Sequence, residues 1–168
     1  AWVRVESGTP WGGILGYCQD NGTDEHGWIL GYNSTSFSFG TSDSTGMTYI
    51  DGTTAHASDA WYHVVGTYDG TRMTLYVNGS AENSSTECSG DINYRSATYT
   101  MGVYHDDNEH TPLKGRLNEV SVYDSVLTPT EINTHYEAKK DLFEEDPDPS
   151  PDAVISLGPY VEFTGAHT

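Results

Sequence analysis

The chain has 168 residues, with 25 acidic side chains against 7 Lys and Arg, and a formal charge of −18. A surface this acidic repels nucleic acid and anionic lipid, which argues against both as partners, and no run is apolar for long enough to span a bilayer. It suits a salty medium, where the charges are screened, or attraction of divalent cations.

In chain order, Val3 and Val5 alternate with Arg4 as in a strand, and Ala1-Trp2-Val3-Arg4-Val5 reads as the middle of one, as though the chain starts inside a longer precursor. After Gly8-Thr9-Pro10 a second strand runs over Trp11–Cys18, where Gly12, Gly13 and Gly16 predict close packing or a bulge. A polar loop, 19–26, precedes two strands around Trp28-Ile29-Leu30 and Phe37-Ser38-Phe39, then a third at Met47–Ile50. Residues 53–59 and 81–96 carry no strong strand pattern. Between them lie Trp61–Tyr68 and Met73–Val77, rich in β-branched and aromatic residues and flanking Asp69-Gly70, with Asn78-Gly79 behind. Both dipeptides tolerate the positive φ of tight hairpin turns, so this is the central hairpin. Strand character resumes over Thr98–Tyr104 and again over Leu113–Tyr123, with the acidic loop 105–110 between them.

One helix start is written into the sequence. Thr128 is an N-cap, Pro129 fits the first helical position, and Glu131 completes a capping box. Ile132, Tyr136 and Phe143 share one stripe of the helix that follows. The run 144–152, Glu-Glu-Asp-Pro-Asp-Pro-Ser-Pro-Asp, resists both helix and ladder pairing and reads as an acidic, Pro-rich linker. The expected organisation is a domain over 1–143, that linker, and 153–168 as either the start of another domain or a docked edge strand. The fold expected is all-β, an antiparallel two-sheet jelly-roll sandwich with one short C-terminal helix.

The block Trp61-Tyr-His-Val-Val-Gly-Thr-Tyr-Asp-Gly-Thr71, followed by Leu75-Tyr-Val-Asn-Gly79, resembles the central hairpin of laminin G-like and pentraxin-like domains of the concanavalin A-like group. The run Lys114-Gly-Arg-Leu-Asn-Glu-Val-Ser-Val-Tyr123, with Leu127-Thr-Pro-Thr-Glu-Ile132, resembles the same group's closing strand and short helix. The tail Leu157-Gly-Pro-Tyr160 resembles the opening strand of the β-sandwich that precedes the catalytic domain in purple acid phosphatase-like enzymes. The first resemblance implies a secreted or cell-surface module that binds a glycan or an extracellular glycoprotein, within a larger multidomain protein. A structural spacer and a glycoside hydrolase or lyase are the alternatives on the same fold.

Catalytic patterns are missing: no Gly-rich phosphate loop, no His-Glu-x-x-His pair and no paired acids along one strand, Glu119 being a lone acid in its strand. Calcium prefers several oxygen ligands from flexible loops, and two loops offer that chemistry, through Asp24 and Glu25 and through Asp106, Asp107 and Glu109. Pentraxin-like relatives bring two such loops together around calcium. The resemblance therefore implies Ca2+ on these residues, with Tyr104 standing where relatives carry an acid. Aromatic rings stack on sugars while their polar tips meet hydroxyls, which makes Tyr32 and Tyr104, then Trp28 and Trp11, the candidate glycan contacts. His26, His105 and His110 flank the same loops, and His63 reads as a structural histidine. Cys18 and Cys88 are either a disulfide or two independent thiols, and the polar setting of Cys88 favours the bond.

Overall fold

The structure, a computed structural model, describes residues 1–145 other than 7–9, 23 and 59, with residues 144 and 145 in backbone only. Along the chain run β1 (Trp2–Val5), β2 (Trp11–Asp20), β3 (Glu25–Asn33), β4 (Phe37–Asp43), β5 (Gly46–Asp51), β6 (Trp61–Tyr68), β7 (Met73–Val77) and β8 (Ser80–Ser85). They are followed by β9 (Tyr99–Met101), β10 (Val103–His105), β11 (His110–Pro112), β12 (Gly115–Asn118), α1 (Pro129–Glu137) and α2 (Lys140–Glu145). One sheet has the order β12-β1-β6-β7-β8 and the other β5-β4-β3-β2-β9, while β10 and β11 form a separate hairpin. Every pairing is antiparallel. This is the expected sandwich.

The two sheets meet through their alternating apolar residues. Val3, Val5, Val64, Met73, Leu75 and Val77 of the first face Ile14, Leu30, Tyr32, Phe37, Phe39 and Ile50 of the second. Each such side chain, fully buried, stabilises the fold by about 1.5–3 kcal/mol before chain entropy is set against it. The central hairpin forms as its turn chemistry demands. Asp69 accepts from the N–H groups of Thr71 and Arg72 at 2.8 and 2.7 Å. Asn78 and Gly79 both take positive φ, 48° and 77°, the signature of a type I′ turn whose twist matches the strands. The glycines of β2 mark a register shift between Gly13 and Leu15, the bulge their spacing predicted.

The second sheet's other face carries its own layer. The β10–β11 hairpin lies against it, with Trp11, Cys18, Ile29, Met47 and Tyr104 packed together. A missing side chain makes room for it: a Cβ on Gly13 would sit 2.5 Å from the Tyr104 nitrogen.

Three expectations are corrected. The strand predicted over Leu113–Tyr123 ends at Asn118, because Glu119 adopts φ 50° and turns the chain out of the ladder. The span 81–96 begins with a true strand, β8, whose polar, exposed side chains hid it. The single helix is two. The capping box at Thr128 forms as expected, Glu131 Oε2 accepting from the Thr128 N–H at 2.7 Å, but α1 stops at Glu137 and α2 restarts at Lys140. Both dock on the outside of the first sheet: Phe143 stacks on Trp2 at 4.3 Å and Tyr136 lies 5.8 Å from the same indole. The linker and the phosphatase-like tail fall outside the described residues.

Candidate functional site

The two acidic loops do approach one another, through Asp106 and Asp107 of the second loop but through Gln19, Asp20 and Asn21 of the first rather than Asp24 or Glu25. Gln19 and Asn21 donate to Asp107, Asn21 Nδ2 at 3.1 Å, and the Asp20 N–H points at Asp106 Oδ2, 3.4 Å away. Asp106 is buried, its Oδ1 accepting from the Asn108 and Glu109 N–H groups and its Oδ2 from the Tyr104 hydroxyl. Burial opposes its ionisation, yet these donors hold its carboxyl below the usual range. With its amide turned to donate, Asn108 adds a bond to Asp107. Asp24 belongs to a different cluster, paired with Arg95 at 2.7 Å and with His26 Nδ1 at 3.3 Å, while Glu25 Oε2 braces the Met47 N–H at 2.7 Å. Glu109 is exposed, and its carbonyl lies 3.0 Å from His105 Nδ1.

Among the described residues no three His, Cys, Asp or Glu side chains converge on one point. A calcium ion needs six to eight free oxygens. Here Asp106 and Asp107 accept from donors of their own loop and of Gln19 and Asn21, while Asp24 Oδ1 and Glu25 Oε2 are turned to Arg95 and the Met47 N–H. The carboxylates of the two loops are thus held apart rather than gathered around one point. His26 is buried, whereas His105 and His110 are exposed and face each other across the hairpin with Nδ1 atoms 3.4 Å apart.

The aromatic candidates divide. Tyr32 is fully buried and Tyr104 is 1 % exposed, so neither reaches a ligand: Tyr32 belongs to the inter-sheet core, and Tyr104 pins the hairpin to the second sheet. Trp11 is half-buried and meets Tyr49 and Tyr104 edge-on at 6.0 and 5.9 Å. Trp28, also half-buried, lies in a more accessible group. Register sets Tyr99 of β9, Tyr17 of β2 and Trp28 of β3 side by side across three strands. Tyr17 stands 4.6 Å from Tyr99 and 5.9 Å from Tyr94, and Trp28 stands 6.4 Å from Tyr99. Tyr94 is 56 % exposed, Tyr99 46 % and the neighbouring Met101 61 %. The Tyr17 hydroxyl fixes the loop that carries Tyr94, donating to the Arg95 carbonyl at 2.5 Å and accepting from the Ala97 N–H at 3.2 Å.

Sequence reasoning missed Tyr94 and Tyr99 as members of this aromatic group. Tyr94 sits in a stretch without periodicity, and only the β2–β9 pairing brings Tyr99 beside Tyr17. Next to this aromatic group opens a small polar pocket of ≈ 150 Å³, whose lining includes Asp24, Glu25, Thr45, Asn93 and Arg95. Rings that stack and polar groups that hydrogen-bond are thus adjacent on one surface.

The cysteines do not pair. Cys88 lies in the inter-sheet core near the Tyr68 hydroxyl, and Cys18 lies in the outer layer with Ile29 and Tyr104. Both are buried free thiols despite the polar sequence around Cys88. Burial, then the carboxylates of Asp20 and Asp106, push the Cys18 thiol up to about 12, which keeps it protonated and unreactive.

With the fold in place, comparison with known proteins adds family membership. A laminin G family model, described as the concanavalin A-like lectin/glucanases superfamily, matches residues 1–133. The chain belongs to that superfamily. This concanavalin A-like domain is 30% identical over 104 residues to Pappalysin-1 of Mus musculus, a match covering 54% of the chain and 6% of that protein's length. Its fold is similar to the Ruminococcus gnavus IT-sialidase CBM40 bound to alpha2,3 sialyllactose, with TM-score 0.65 and 14% identity, over 80% of this chain and 79% of that one. It is also similar to a SAP-like pentraxin from Limulus polyphemus, with TM-score 0.60 and 19% identity, over 80% and 66% of the two chains. Among the described residues no helix is long and apolar enough to cross a membrane.

Proposed function

We propose that this domain binds carbohydrate without cleaving it, at the surface formed by Tyr17, Trp28, Tyr94 and Tyr99, and that it works as an extracellular module of a longer protein. The observation that carries this reading is the aromatic group itself. Its exposed tyrosines lie beside a polar pocket, the pairing of stacking surface and hydrogen-bond donors that sugars need. The fold's likeness to a carbohydrate-binding module and to a pentraxin supports the class of ligand, and the family assignment supports a place outside the cell. Cleavage would require two carboxylates flanking a glycosidic bond. In the pocket, Asp24 is tied to Arg95 and Glu25 to the Met47 N–H, an arrangement that supports holding rather than hydrolysis.

The ligand favoured is neutral. Asp24 and Glu25 line the pocket and Arg95 is already paired, so an acidic sugar such as that held by the R. gnavus module meets repulsion here. Recognition proceeds without calcium, because the acidic loops satisfy their own carboxylates.

A glycan array carrying neutral and sialylated structures tests the reading. Retention of neutral glycans is expected, unchanged by a chelator, with binding weakened about tenfold (~1.4 kcal/mol) in Tyr99→Ala. Tyr99 is 46 % exposed, so that change leaves the fold intact. No retained glycan of any class would leave a spacer role, and turnover of a bound glycan would establish an enzyme.

A further inference from the structure

His105 and His110 form a pair outside the aromatic surface. They stand directly opposite one another in the β10–β11 ladder, at the rung that closes on the 106–109 turn. Tyr104, one residue earlier, turns toward the second sheet, into the layer of Cys18 and Ile29. Strand alternation therefore turns the next rung outward, and both imidazoles are exposed. The Glu109 carbonyl, 3.0 Å from His105 Nδ1, fixes which edge of that ring faces β11. His110 presents its own Nδ1 to the same edge, with the ring planes at 75° and their centroids 5.1 Å apart.

The two nitrogens are 3.4 Å apart. That is long for a hydrogen bond from N–H, which ordinarily spans about 2.7–3.2 Å. The His105 proton also has a nearer acceptor in the Glu109 carbonyl, so the pair gains little from bonding to itself. The same separation is what one tetrahedral ion requires of two ligands. At Zn–N distances of about 2.0–2.1 Å, two nitrogens at the tetrahedral angle stand about 3.3–3.4 Å apart. The right angle of a square-planar or octahedral ion would bring them to about 2.8–3.0 Å.

The geometry points to a zinc site at His105 and His110, in which both Nδ1 atoms hold one Zn2+ and water fills its other two positions. The turn between the strands adds the carboxylates of Asp106, Asp107 and Glu109, whose charge draws a cation toward the hairpin. Ligation costs the hairpin little. His105 moves its proton from Nδ1 to Nε2, and the Glu109 carbonyl keeps the Asp106 N–H at 3.1 Å. Once bound, the ion staples β10 to β11, whose strands are three residues each, and so steadies the element that carries Tyr104. An ion that binds only the folded hairpin stabilises it in proportion to its occupancy.

Zinc chloride titrated into the chain in a non-chelating buffer tests this, read by the ring-nitrogen NMR signals of its seven histidines. The Nδ1 signals of His105 and His110 are expected to move first and to saturate together at one ion per chain. Tm should rise with zinc and return on addition of EDTA, while Mg2+ and Ca2+ move neither signal. His110→Ala should weaken zinc binding at least tenfold and abolish the rise in Tm. The ring is exposed, so the zinc-free Tm of the variant should match that of the unaltered chain. Should the variant unfold instead, the order in which the ring signals move in the unaltered chain decides. Zinc that reaches other histidines first, or that binds as tightly to His110→Ala, overturns the site.

Discussion

Acidification from pH 7 to pH 4 is expected to cost this fold about 3 kcal/mol through His63 alone. His63 is 6% exposed, packed 5.3 Å from the Trp2 indole and 6.4 Å from the Tyr136 ring. Burial, then the positive chain terminus and His135, lowers its pKa from 6.5 to about 3. A base whose folded pKa is depressed binds fewer protons folded than unfolded. Stability is therefore full above pH 6.5, falls as pH drops below it, and levels off only near pH 3. Chemical denaturation at intervals from pH 8 to pH 4 checks this. His63→Phe, which keeps a ring against Trp2, should flatten the profile below pH 6.5. A slope unchanged in that variant would show that other groups govern the acid limb.

The second large effect is expected of Phe143→Ala, at about 3–5 kcal/mol. Phe143 is 2% exposed, stacked 4.3 Å from Trp2 and 5.1 Å from Trp61. Deleting its ring leaves a cavity walled by two indoles that cannot collapse without moving β1 or β6. The same result would place the domain's working boundary beyond α1, since α2 would then hold the first sheet's outer surface. Urea denaturation of the variant gives the answer, and a loss under 1 kcal/mol would mean that α2 is loosely attached.

Local chemistry made much of this molecule legible in its sequence. Asp69-Gly70 and Asn78-Gly79 name their turns because few residues tolerate positive φ, and Thr128 with Glu131 names a helix start because a capping box is a short-range device. What escaped is set by distant partners. Tyr32 and Tyr104 resemble ligand-stacking residues in composition, but the opposing sheet and the β10–β11 hairpin bury them. Tyr99 joins the aromatic group through its register with Tyr17, eighty-two residues earlier, and no window of sequence carries that pairing. The acidic loops met as the resemblance implied, yet Gln19, Asn21, Tyr104 and the loop's own N–H groups had already claimed their oxygens. The pairing of Cys18 with Cys88 failed for a related reason: a polar neighbourhood in sequence did not mean a polar neighbourhood in space.

The separate placement of the two thiols has a practical side. With no bridge to form, folding asks nothing of the redox state around it, so this module is as suited to synthesis in a glutathione-rich bacterial cytosol as to an oxidising lumen. Each sulfur, shut away in its own compartment, would take up a maleimide only when the surrounding strands come apart, which turns alkylation into a clock for global opening.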